Sequence, residues 1–447
     1  MVDVADAKEI YCSHFARFES EAIRDGGSWT YPIRKAAISR FAEQGFPTTR
    51  HEEWKYTNVA PVLKVPFKHA GYKPTELTPE TVKPLTLGRE EGRQLVFVNG
   101  YFSPELSLLW QLPDGVKAGS LAAALDTEVQ QVEPHLAKYA SYQDHAFIAL
   151  NTAFMEDGAF IYIPRGRFLK EPIHLLFIST AHGGASVSYP RNLVVVGADS
   201  QVTIVESYVG LGPGIYFTNG VTEVIVGDNA AVDHYKLEEE STEAFHISTL
   251  QVHLNRSSRF SSHSIALGGA LVRSEVNTVL DGEGGECALN GLYMVSGQQH
   301  VDNHTRIDHV KAHCTSRELY KGVLDGKGRG VFNGKIFVHR SAPKTDARQT
   351  NKNLLLSRDA WIDTKPQLEI HNNDVKCTHG STIGQLDQDA LFYLRSRGVG
   401  LRAARGLLTY AFASEIISRI HIEPLRVRLE ELVLARFREG KGTEAVV

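Results

Sequence analysis

The chain has 447 residues, of which 42% are hydrophobic and 22% charged, with a formal net charge of −4. This is ordinary globular composition at a length that suggests roughly two to four domains, and it lacks the basic surplus of a nucleic-acid binder. No apolar run approaches the roughly 18 residues that span a bilayer, and the acidic start Met1-Val2-Asp3-Val4-Ala5-Asp6 lacks a signal pattern. The chain therefore reads as soluble, unsecreted and cytoplasmic. Its four cysteines, Cys12, Cys287, Cys314 and Cys377, are too few for a disulfide framework and read as reduced thiols.

In chain order, Tyr31-Pro32-Ile33 opens a segment with Ile33, Ala37, Ile38 and Phe41 at helical spacing, stopped near Gly45. The charged and aromatic stretch from Arg50 to Thr57 follows; on composition it is a solvated helix face with Trp54 packed beneath it. From Gly71 to Gly92, proline and charge suggest a linker. Ala122, Leu125, Val129 and Val132 make a further helical stripe that Pro134 ends, and Ala146 to Met155 another.

From about Phe160 strand-like runs dominate, including Leu193 to Val196, Val202 to Val205 and Val221 to Val226. Turn clusters recur between them. Anchored at Ser200, Ala230, Ser258, Glu286, Gly330 and Ala360, they give a period of about 30 residues with one long insertion after Glu286. Regular turns without interleaved helices point to a sandwich, a barrel or a β-solenoid, and a period longer than one strand favours a parallel β-helix. After Gly384 helices return. Asp387 caps Gln388 to Ser396, Gly398 stops that helix, and Leu401, Ala404, Leu408, Ala411, Phe412, Ile416 and Ile420 form a second stripe. Pro424 opens a third helix carrying Leu425, Leu429, Leu432 and Val433. The expected organisation is a largely helical region over 1–158, a β-helix core over 159–386 and a helical region over 387–447.

There is no phosphate loop; Gly326 to Gly330 reads GKGRG and is better explained as a turn. No dinucleotide fingerprint, Cys-x-x-Cys, His-Glu-x-x-His or nucleophile elbow occurs. His300, His304, His309 and His313, with Cys314 adjacent, cluster along the chain, but in a strand alternation decides which of them share a face. The segment Asp374-Val375-Lys376-Cys377-Thr378-His379-Gly380 carries more information. In an extended strand Cys377 and His379 project to one face, with Thr378 on the other. A thiolate beside an imidazole is half of a soft metal site, and the remaining ligands must come from elsewhere, for instance from another chain.

The block DVKCTHGSTIGQLDQDALFYLRSRGV, from Asp374 through Val399, resembles the C-terminal signature of the SufB/SufD family, the paired subunits of the SufBCD iron–sulfur cluster assembly complex. FPTTRHEEWKYTNV from Phe46, ALNTAFMEDGAFIYIP from Ala149 and KTDARQTNKNLLLS from Lys344 agree with it, so the resemblance spans nearly the whole chain. The Asp-Val-Lys-Cys-x-His-Gly form, and the lack of a longer N-terminal region with extra cysteines, favour the SufD branch. The resemblance implies a right-handed parallel β-helix between helical ends. It also implies a heterodimer with SufB, attachment of the SufC ATPase through the C-terminal helices, and a homodimer as an option in isolation. It puts Cys377 and His379 near the SufB interface, as metal-ligating residues for a transient iron–sulfur cluster that this chain alone does not hold stably. The implied role is a non-catalytic scaffold of an ATP-dependent complex. Two other readings are a purely structural partner without metal contact and a β-helix carbohydrate-active enzyme. The latter would need grouped carboxylates, and Asp302, Asp308 and Asp363 form no obvious set.

Overall fold

The computed structural model describes residues 4–22, 28–71, 77–87, 93–109, 112–181 and 184–438. Among these, the strands make two mainly parallel sheets of 11, and each coil of chain contributes one strand to each sheet. The result is a β-solenoid of about seven turns, over residues 160–384, flanked by N- and C-terminal helices. One register line runs Gln201, Ala231, Arg259, Glu286, Thr315, Asp346 and Lys376. Every coil on this line is about 30 residues long, so the long insertion expected after Glu286 does not exist. Glu286 lies on one sheet and Gly330 on the other; the anchor changed sheets.

Alternation along each strand sends every second side chain into the lumen. Near the first coils the lumen is apolar and aromatic: Phe97, Phe177 and Tyr208 lie in one column, and Phe177 stacks on both neighbours at 4.8 and 4.7 Å between centroids. Further on, two tyrosines are accommodated by glycines. Gly291 pairs with Tyr320 in the next coil, and Tyr293 pairs with Gly322. A Cβ on either glycine would overlap the partner ring.

Helices cover the outer faces. Val4–Ala22, Tyr31–Gln44 and Ala146–Phe154 pack Tyr11, Phe15, Phe41, Phe147 and Phe154 onto Val187, Phe217, Phe245 and Leu271 of one sheet and onto Tyr189 beside it. Leu401–Ile417 and Glu423–Arg438 pack Ala413, Ile416, Ile417, Leu425, Leu429 and Val433 onto Val205, Tyr235, Ile265, Leu292 and Leu319 of the other. The expected stripe of the first of these two helices is only half right. Ala404, Ile416 and Ile420 are buried, but Leu401 is exposed and Thr409 and Ala413 take the inner positions. Asp387 caps the helix Gln388–Ser396 as expected, its carboxylate accepting from the Asp389 and Ala390 amides.

The two ends of the solenoid differ. At the first coil, Arg93–Val98 pairs antiparallel with Tyr101–Phe102 and Leu108–Leu109, and Lys117–Ser120 pairs antiparallel with Ala159–Ile163, which closes that end. At the last coil, Trp361–Ile370 and Lys376–Gly384 are the terminal strands of their sheets. Trp361, Ile370 and Ile383 are exposed there.

The tyrosine–glycine fit gives a stability prediction. Gly291→Ala should cost about 1–3 kcal/mol through overpacking against Tyr320. Gly384→Ala, whose Cβ would meet nothing within 4 Å, should change stability by less than about 0.5 kcal/mol. Urea unfolding of the two variants checks both.

Candidate functional site

Cys377 and His379 lie on Lys376–Gly384, the outermost strand at the open end. Their register partners are Ala347 and Gln349, which are 0% and 1% exposed, whereas Arg348 between them faces solvent. The pair therefore occupies lumen-facing positions, side by side as strand alternation requires. These positions are open because no further coil covers them among the described residues. Cys377 is half-buried and touches the main core, and His379 is exposed. Burial and the nearby Asp346 carboxylate push the Cys377 thiol up, against a backbone hydrogen bond at Ala347 that pulls it down. Burial and Asp346 both favour the protonated thiol over the thiolate.

Beneath this pair the columns continue into the solenoid. Cys377 stands above Ala347, Ser316 and the buried Cys287, whose thiol burial pushes up to about 12. His379 stands above Gln349 and Glu318. Gln349 Nε2 donates to Glu318 Oε2 at 2.7 Å. Burial raises the Glu318 carboxyl to about 7, although hydrogen bonds from Thr305 and Gln349 pull the other way. The neighbouring columns are also polar at this end. Ser381 and Thr364 are 2.9 Å apart across the lumen, and Asn353 donates to Asn351 at 2.6 Å. Sequence reading missed Glu318 and Gln349, because nothing within a single strand marks them.

Alternation separates the histidine group. His300 and His304 face outward; His309 faces the lumen and bonds Ser316 at 2.9 Å; His313 sits in a turn with φ of 60°. Cys314 is buried, its Sγ donating to the Gly282 carbonyl at 3.3 Å. No group of three or more metal-binding side chains converges among the described residues.

His304 instead belongs to an ionic clasp between the segment around Trp54 and the solenoid. Arg273 bridges Glu275 and Asp302, each at 2.6 Å, and packs its guanidinium 3.8 Å from the Trp54 ring centroid. His145 meets Glu275 at 2.7 Å, and His304 meets Asp302 at 3.0 Å and Glu53 at 3.6 Å. Burial alone would raise the Asp302 and Glu275 carboxyls, but the flanking histidines and Arg273 hold both well below the usual range. The clasp borders a cleft of about 610 Å³. The aromatic and charged segment is thus an attachment device, with Trp54 packed beneath it as its composition suggested.

Residues 5–175 match the SufBD protein N-terminal region, and residues 177–412 match the SufBD core domain of the SUF system for iron–sulfur cluster assembly. The chain belongs to the SufBD family. An iron–sulfur cluster assembly SufBD family protein of Synechocystis sp. is 35% identical over 90% of each chain. The iron–sulfur cluster assembly protein SufD of Escherichia coli is 33% identical over 94% of each. SufD of Bacillus subtilis is 27% identical over 91% of this chain and 93% of its own. As a SufBD protein, the chain belongs to the SUF assembly system. None of its helices, among the described residues, is long and apolar enough to cross a membrane.

The Glu318 carboxyl gives a pH prediction. Its folded value, about 7, lies above its ordinary 4.5. Its contribution to stability is therefore complete below about pH 4.5 and is lost as pH rises through 7. Compared with Glu318→Gln, the wild-type chain should lose up to about 3 kcal/mol of stability between pH 4.5 and pH 8. Urea unfolding at several pH values measures the difference.

Proposed function

We propose that this SufBD protein is the SufD-type scaffold of a SufBCD complex, and that Cys377 and His379 supply ligands to a nascent iron–sulfur cluster shared with SufB. The observation that carries this reading is the uncapped solenoid end bearing a thiol and an imidazole side by side on its last strand. Iron and sulfide need soft and borderline donors held weakly enough for later release. Two donors fill half of a four-coordinate shell, which suits a site completed by a second chain.

The same end suits a heterodimer contact. Trp361–Ile370 and Lys376–Gly384 keep one unpaired backbone edge each, and a second solenoid could continue the pairing across it. Phe392, Tyr393, Leu401 and Leu407 on the C-terminal helices are exposed and offer SufC an apolar docking face. The protein is not itself an enzyme in this reading. ATP-driven dimerisation of SufC is the two-state element that strains the contact with SufB and opens the shared site. The iron–sulfur cluster is cargo, and this chain alone does not retain it. The cytoplasm, where thiols stay reduced, is the compartment that fits.

The test is the iron and acid-labile sulfide content of the complex. It is co-expressed with SufB and SufC, purified without oxygen, and compared with His379→Ala at equal subunit recovery. We expect the variant complex to assemble and to lose most of its iron and sulfide. Unchanged loading would make this chain purely architectural and place the metal chemistry on its partners.

A further inference from the structure

The column that carries His379 contains a second polar side chain whose hydrogen bonding is incomplete. Gln349 lies one coil beneath His379, is 1% exposed, and is held from below by Glu318. Gly334 on the facing sheet makes room for it: a Cβ at that position would overlap the Gln349 amide. The Gln349 amide nitrogen is committed to Glu318 at 2.7 Å, but its carbonyl oxygen Oε1 is buried with no hydrogen-bond partner. A buried acceptor left in this state is rare and costly.

The next side chain along the column is the imidazole of His379. Paired strands run about 4.8 Å apart, so the two side chains are neighbours. Neutral imidazole has one N–H donor and one acceptor nitrogen, and a hydrogen bond to the first fixes which nitrogen is left to bind a metal. Metal-binding histidines commonly donate their second ring N–H to a carbonyl or carboxylate in this way.

We propose that Gln349 is the positioning residue of His379, its buried carbonyl oxygen accepting one ring N–H so that the other nitrogen presents its lone pair at the open end. The value of this arrangement to metal binding rests on the reading of His379 as a ligand; the arrangement itself does not. Glu318 has a defined part in it: by engaging the amide nitrogen it fixes the orientation of the amide and leaves the oxygen for His379. A hydrophobic side chain of similar volume at 349 would fill the lumen equally well and would leave the imidazole free to exchange tautomers.

The test uses the full-length chain with ¹⁵N-labelled histidine. Long-range ¹H–¹⁵N spectra report the tautomer of each ring, and the His379 signals are those lost in His379→Ala. We expect a single tautomer for His379 in the wild type and averaged ring nitrogens in Gln349→Leu. The exchanged pair, Glu318→Gln with Gln349→Glu, keeps one amide and one carboxylate in the column and should restore a single tautomer. An unchanged His379 signature in Gln349→Leu would overturn the proposal, as would averaged nitrogens in the wild type. Iron loading of the co-expressed complex is measured in parallel and should fall about tenfold in Gln349→Leu. If loading does not respond to His379→Ala while the tautomer does respond to Gln349→Leu, the ligand reading fails and the positioning role stands.

Discussion

Each coil of a parallel solenoid is held by the backbone groups of the coil before it, and in turn offers its own free edge to the next. The architecture of this protein follows from where that sequence of edges stops. At the first coil, short antiparallel strands from residues 93–120 take up the exposed groups. At the last coil nothing among the described residues does so, although helices cover the outer faces on both sides. A bare edge of this kind is a template for pairing with another chain. The Cys377–His379 pair sits on that bare edge and nowhere else.

The lumen changes character along its length in step with this asymmetry. It begins with stacked aromatic rings around Phe97 and Phe177. In the middle it holds paired ionisable groups, with Lys236 at 2.5 Å from Glu238 and the His246 ring at 2.8 Å from Glu240. At the open end amides, hydroxyls and the carboxyl of Glu318 share the lumen with Phe332, Ile336 and Ile362. An apolar lumen could not support an imidazole above it by hydrogen bonding. Buried ion pairs are weak evidence for stability, and their place here is better understood as a transition between a packed core and a polar mouth.

Much of this was legible in the sequence because the signals were local. The alternation around Cys377 and His379 and the Asp387 cap each depend on residues a few positions apart, and the burial of Trp54 follows from its bulk in a charged segment, although the Arg273, His145 and Phe147 side chains it meets are far off in the chain. The family resemblance drew on the same short blocks. What failed depended on register between coils. The period was misjudged after Glu286 because turns at two different corners look alike in one dimension. The histidine group looked compact along the chain, yet His304 joins an ionic clasp on the outer wall while His309 points inward. Glu318, Gln349 and His379 are each about 30 residues apart, so their column exists only once the coils are stacked.

The connection after the last strand has a mechanical consequence. Only Gln385, Leu386 and Asp387 separate Gly384 from the helix Gln388–Ser396. Lys376–Gly384 is paired on one side alone. A displacement of that helix away from the sheet edge therefore pulls on the end of the strand and loads its hydrogen bonds one after another, as in peeling tape, whereas a pull along the strand would load them together in shear. His379 lies five residues from the point where the pull arrives, and Cys377 seven.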